Sequence, residues 1–144
     1  ALDVGYRPIV WRISAPFGPF PSKAKGPNFL EKVMSKLSRG DRVEIFDDVF
    51  CSPTYTVESA RNLLRLIQTE YTPGIWHGSN KGRTSWFDFA KLASAYRGYS
   101  APEPVDSGDP RDTSLSVEKL ERFLGTEVSS WDEALKHYLR GDVT

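Results

Sequence analysis

The 144-residue chain sets 19 Lys and Arg against 19 Asp and Glu, with 39% hydrophobic and 12% aromatic residues. That balance excludes the basic patch that displaces counterions from nucleic acid and the polybasic segment that holds a protein to anionic lipid. No apolar run approaches the ~18 residues of a membrane span, and the aromatic content is too high for a solvated, disordered chain.

Short apolar runs alternate with amphipathic segments, the pattern of an α/β chain. Residues 8–13 are an apolar run bounded by Gly5 and Pro16, as a buried parallel strand requires. Residues 14–26 carry Pro16, Gly18, Pro19 and Pro21 and are predicted to cross irregularly. A helix follows with Pro27 in its first turn and Phe29, Leu30, Val33, Met34 and Leu37 on one face. Gly40 stops it, and Lys36 and Arg39 sit at its negative end. Residues 43–46 alternate as a strand, which Asp47 and Asp48 end. After residues 49–55, a helix capped by Thr56 is predicted to turn Val57, Ala60, Leu63, Leu64 and Ile67 inward.

Thr72, Pro73 and Gly74 break the chain before a short strand at 75–77. Ser85 and Asp88 have capping-box spacing and open a helix through Phe89, Leu92, Ala93 and Tyr96. Residues 100–110 read as a loop with a short extended piece at Glu103–Val105. Leu115, Ser116 and Leu120 have the spacing of a stapled N-terminus, and Gly125 closes that helix. Ser130 and Glu133 repeat the cap signal before a last helix to about Leu139. Three strands and five helices in this order do not make the symmetric βαβ series of a complete nucleotide-binding domain.

Cys51, the only cysteine, permits no internal disulfide or cysteine zinc cluster and fits a reducing, cytoplasmic setting. The only methionine is Met34, so the chain is expected to be one domain-sized piece of something longer. Residues 78–85 resemble a phosphate cradle, but the two glycines are one residue too close for a P-loop and Arg83 stands where its Lys should. A polar turn with a helix cap is the better reading. His77 and His137 lie far apart, with no Ser-Gly elbow or acidic partner at helical spacing, and are assigned structural or surface roles. Asp47 and Asp48, beside Cys51, Ser52 and Thr54, leave two readings open: a ligand cluster at a strand end, or loop residues that satisfy their own backbone. Trp86, Phe87 and Trp131 read as core anchors. Arg12 and Arg111 have the chemistry to clamp a phosphate or to pair with nearby Asp residues.

The order of motifs says more. Residues 12–18 (RISAPFG), Asn28-Phe29, residues 46–55 (FDDVFCSPTY), 74–77 (GIWH), 84–90 (TSWFDFA), 110–115 (PRDTSL), Lys119-Leu120 and Trp131 with Ala134-Leu135 follow one another end to end. In this order and spacing the chain resembles the second half of the dTDP-4-dehydrorhamnose reductase family, extended short-chain dehydrogenase/reductases that reduce the 4-keto group of a nucleotide-linked deoxysugar with NADPH. The resemblance implies the C-terminal portion of a Rossmann-type fold, with the last parallel strands and a small helical substrate-binding lobe.

It also implies that the glycine-rich dinucleotide turn and the catalytic Tyr-x-x-x-Lys lie upstream of Ala1, so no catalytic residue and no metal ligand is assigned here. Ser14 and Ala15 would lie near the nicotinamide. Pro16, Asn28 and Phe29 would form the sugar-nucleotide wall, Ser52 and Thr54 the segment behind it, and Arg111 a further substrate contact. The family commonly has Trp where Ala15 stands and Arg where Asp109 stands. An Asp there repels a diphosphate, with Arg111 two residues on to offset it. The implied partners are a nucleotide-sugar, the N-terminal half of the same protein and a second copy in a homodimer. The alternative is a non-catalytic regulator of the same fold, like the β subunit of methionine adenosyltransferase.

Overall fold

A computed structural model of the chain describes residues 7–20 and 23–141. Among them are nine strands and five helices. β1 (Ile9–Arg12) pairs in parallel with β6 (Gly74–His77), Ile9 opposite Gly74 and Arg12 opposite His77. β2 (Pro16–Phe17) pairs in parallel with β5 (Thr54–Tyr55), and β3 (Glu44–Phe46) with β8 (Glu103–Val105). β4 (Val49–Cys51) lies between β7 (Thr84–Ser85), antiparallel to it, and β9 (Arg111–Asp112), parallel to it. The three expected runs are therefore strands. Of the other strands, β8 coincides with the extended piece expected at Glu103–Val105; the rest have only two or three residues each, too short to show a period, and are recognisable only through their distant partners.

The helices are α1 (Phe29–Ser38), α2 (Thr56–Ile67), α3 (Trp86–Arg97), α4 (Glu118–Leu124) and α5 (Trp131–Arg140). Asn28 caps α1 in a reciprocal box with Glu31, so Pro27 precedes the cap instead of occupying the first turn. Ser130 and Glu133 form the same box on α5, and Ser85 accepts from the Asp88 amide at the start of α3. Gly98, Gly125 and Gly141 end α3, α4 and α5 in the left-handed conformation.

Two expected caps are corrected. β5 runs straight into α2, which makes Tyr55 the cap position and Thr56 the first helical residue, with no side-chain cap bond. At α4 the cap position is Val117, with no side-chain cap bond, while Ser116 one residue earlier accepts from the Glu118 amide through its hydroxyl at 3.4 Å and meets the His77 ring with its carbonyl.

Buried side chains form three clusters. Phe17, Leu30, Tyr55, Phe89, Ala93, Ala134 and Leu135 join α1, α3 and α5 to the β2–β5 pair. Val33, Leu37, Val43, Ile45 and Ala90 join α1 and α3 to β3. Leu66, Trp76, Val117, Leu120 and Val128 lie under β1 and β6.

The inward face of α2 differs from expectation. Ser59 and Leu66 are buried and Leu63 packs against the third cluster, whereas Ala60, Leu64 and Ile67 are exposed. Trp11 explains the rotation: its indole donates to Ser59 Oγ at 3.0 Å and draws that side of α2 onto β1. Tyr96, expected inside, is also exposed; the buried face of α3 is made by Phe89, Ala90, Ala93 and Ser94.

Candidate functional site

Ser14, where β1 ends, is 7% exposed and sits in a web of hydroxyls drawn from segments far apart in sequence. Thr54 Oγ1 donates to the Ser14 carbonyl at 2.6 Å and accepts from the Ser14 amide at 3.3 Å. Ser14 Oγ accepts from the Ser52 amide and lies 3.3 Å from Thr113 Oγ1. Ser52 Oγ donates to the Gly82 carbonyl at 2.7 Å and accepts from the Leu115 amide at 3.0 Å. Ser52 and Thr54 are wholly buried, and their hydroxyls are used inside the protein. What they set is the path of the chain at Ala15, whose carbonyl accepts from the Thr54 amide at 3.1 Å. Ala15 is also the only positive-φ residue other than glycine among those described, at 44°. Such a conformation in an L-residue is held only by its surroundings.

From Ala15 the chain enters a cleft of ≈ 440 Å³ bordered by Pro16, Gly18, Phe20, Asn28, Phe29 and Trp86. Asn28 closes one end: its side chain caps α1 and donates to the Gly18 carbonyl at 3.3 Å. Gly18 is required there, because a Cβ would stand 2.1 Å from Thr56 Oγ1. The rings of Phe29 and Trp86 meet edge to face at 4.4 Å between centroids. On their other side a second hollow, also ≈ 440 Å³, is walled by Val33, Val43, Ile45, Phe46 and Val49. Lys32 borders both spaces and Lys36 the second, across from Glu44. Trp86 is thus a core anchor that also faces the cleft.

The structure brings Ser14, Ala15, Ser52 and Thr54 together and sets Pro16, Asn28 and Phe29 along the adjoining cleft. Arg111 is elsewhere engaged: its guanidinium makes a two-nitrogen contact with Asp109 Oδ2, at 2.8 Å from Nε and 2.6 Å from Nη2. The charge reversal at Asp109 is thereby neutralised, and so is the cation expected to offset it. Arg12 is exposed at the end of β1.

The aspartates do not converge with Cys51 and Thr54. Asp48 accepts from the Ser107 amide and hydroxyl, tying down the 100–110 loop. Desolvation raises its carboxyl, but those hydrogen bonds outweigh it and leave the group below its usual range. Cys51 is buried, and burial, helped by the charge of Asp112, pushes its thiol up to about 12.

Residues 78–85 form the polar turn rather than a cradle. Lys81 bonds Glu121 and Glu127, and Arg83 pairs with Asp112 at 2.7 Å while its guanidinium lies 3.5 Å from the Phe50 ring centre. Hydrogen bonds from the Ser114 side chain and backbone, then the Arg83 contact, lower the Asp112 carboxyl to about 2. Asn80 carries the turn: its Oδ1 accepts from the Tyr55 amide, and its Nδ2 donates to Glu58 and the Ser129 carbonyl. His77 bonds the Ser116 carbonyl and His137 bonds Glu58, so the two rings hold unrelated partners. The residues missed in the sequence are Thr113, Asn80 and Lys32. Thr113 and Asn80 lay inside segments singled out in the sequence, 110–115 and 78–85, and Lys32 lies one turn beyond Asn28 on the helix that starts at the cleft.

The model of the RmlD substrate binding domain matches residues 3–143. The spore coat polysaccharide biosynthesis protein SpsK of Bacillus subtilis is 30% identical over 123 residues, covering 80% of this chain and 42% of that protein. A dTDP-4-keto-6-deoxy-D-glucose reductase of Streptomyces niveus is 29% identical, covering 76% and 41%. Among solved structures, dTDP-4-dehydrorhamnose reductase from Bacillus anthracis in complex with NADP superposes with a TM-score of 0.79 at 25% identity, over 92% of this chain and 48% of that one. The chain spans less than half the length of each of these three. Its mixed α/β fold with parallel strands is that of the Rossmann-like extended reductases, and the chain belongs to the RmlD substrate binding domain family.

Proposed function

We propose that this chain is the substrate-binding portion of an NADPH-dependent reductase acting on the 4-keto group of a dTDP-linked deoxysugar, on the route to dTDP-L-rhamnose. The observation that carries the reading is the cleft of Pro16, Asn28 and Phe29, which opens directly from the Ser14–Thr54 web at the end of β1. Ligands of open α/β sheets bind beyond the carboxyl ends of the strands, which is where this cleft lies. The names of the family's relatives support the substrate class.

In this reading Pro16, Asn28 and Phe29 hold the sugar-nucleotide, and Ser52 and Thr54 act through the backbone they position. NADPH supplies a hydride when bound to the complete enzyme, and Ser14 and Ala15 border its nicotinamide end. The fit rests on Ala15: a single methyl at a left-handed turn leaves the backbone open to close approach. No proton or hydride step belongs to a residue of this chain. The dinucleotide and the proton donor come from an N-terminal half of the same protein.

A second reading, a non-catalytic regulator of the same fold, draws on the Asp109–Arg111 pair, which removes a cation from the substrate side. Purified alone, the chain is expected to bind dTDP and to show no NADPH oxidation with a 4-keto sugar nucleotide, while the complete protein turns over. Turnover by the chain alone would refute the division of labour. An inactive complete protein lacking Tyr-x-x-x-Lys would establish the regulator instead.

A further inference from the structure

We propose that Lys32 on α1 is the residue that holds the diphosphate of the nucleotide-sugar. The inference rests on the reading of the cleft as a sugar-nucleotide site and goes beyond it by naming a determinant that neither the resemblance nor the comparisons assign.

A nucleoside diphosphate sugar has three parts in line: a flat base, an anionic bridge and a hydroxylated ring. The structure offers three environments in the same order. The hollow beyond Trp86, walled by Val43, Phe46 and Val49, is apolar and suits the flat face of a base. The cleft beside Pro16 and Asn28 runs back to Ser14 and Ala15 and suits the sugar. Phe29, Trp86 and Lys32 are common to both spaces, and of these only Lys32 carries charge.

Two lysines, Lys25 and Lys32, border the sugar cleft, and of the two only Lys32 also borders the base hollow. Arg111 is held in a two-nitrogen contact with Asp109, and Arg83 is taken up by Asp112 and Phe50. Of the carboxylates near Lys32, Glu31 is turned back onto the Asn28 amide as part of the cap, and Glu44 is 3.6 Å from Arg42. Lys36, one turn further along the helix, borders the base hollow and adds to the same positive field. Lys32 is exposed, so its attraction for an anion is screened by salt.

The test is titration of the purified chain with thymidine, dTMP and dTDP, with circular dichroism confirming the fold of each variant. Lys32→Gln is expected to weaken dTDP about ten-fold, equivalent to about 1.4 kcal/mol, and to leave thymidine unchanged. Lys32→Arg restores dTDP binding. The preference for dTDP over thymidine falls with added salt in the wild type and is lost in Lys32→Gln. Unchanged dTDP binding by Lys32→Gln, or an equal loss of thymidine and dTDP, overturns the assignment while leaving the cleft reading intact. Failure of the wild-type chain to bind any of the three overturns the cleft reading itself, and this assignment with it.

Discussion

At the scale of single residues, the site is built by side chains that face away from solvent. Thr54 both donates to and accepts from the backbone of Ser14, and Ser52 bonds two other segments. A buried hydroxyl used in this way costs little to desolvate, because each lost water bond is replaced. Cys51 stands next to Ser52 in a different state, with no charge partner to favour its thiolate. Its folded pKa of about 12 lies above the ordinary 9.0, chiefly through burial and then through the charge of Asp112. The stabilisation linked to that thiol is complete below about pH 9, where folded and unfolded chains both keep the proton. It is lost as pH rises towards 12, because the unfolded chain then releases a proton that the folded chain retains. Urea midpoints measured from pH 8 to 11 are expected to fall more steeply for the wild type than for Cys51→Ala. Identical slopes would show that the thiol is not shielded. Native Cys51 is correspondingly expected to react with a thiol reagent only on unfolding.

At the scale of elements, β1, α2 and β6 are locked by one indole. Trp11 projects from β1, donates to Ser59 on α2 and covers Gly78 just after β6. A Cβ at position 78 would stand 2.0 Å from the Trp11 ring, so glycine is needed there for space. Gly78→Ala is expected to cost about 1–3 kcal/mol by overpacking, and Trp11→Leu to relieve part of that cost at the price of the Ser59 contact. The double-mutant cycle in urea should therefore show clear non-additivity. Additive effects would mean that the two sites do not share this packing.

The same three elements show how far the amino-acid pattern reaches. β1 and β6 were legible because each has a run long enough to read, and the caps at Ser85 and Ser130 because they act locally. The inward face of α2 was not legible: its apolar residues wrap more than one side, and the choice of Leu63 and Leu66 over Leu64 and Ile67 was made by Trp11. Motif order singled out Pro16, Asn28 and Phe29, and the fold sets all three along one cleft. Arg111 could not, because its pairing with Asp109 depends on the turn geometry of residues 109–111. Lys32 looks like any lysine on a solvated helix face until β3 and Trp86 are packed beside it.

At the scale of the whole molecule, the β1–β6 pair is covered on one side only. Ile9, Trp11 and Trp76 face the third cluster, while Val10 and Ile75, directly opposite each other in the register, are 50% and 44% exposed. Parallel strands are ordinarily covered on both faces, and a two-stranded sheet gains stability from further strands. Both needs are met if a dinucleotide-binding half continues this sheet, as the proposed function requires. The paired substitution Val10→Lys with Ile75→Glu separates the two situations, because it places opposite charges across the register without repulsion. In the chain alone, where both positions meet solvent, stability is expected to stay within about 0.5 kcal/mol of the wild type. In the complete protein the same pair would be buried against the other half, and a loss of roughly 2 kcal/mol or more is expected, accompanied by weaker NADPH binding. Chemical denaturation of both forms measures the contrast. Equal, small effects in the two would mean that this face stays open to water and that the halves meet elsewhere.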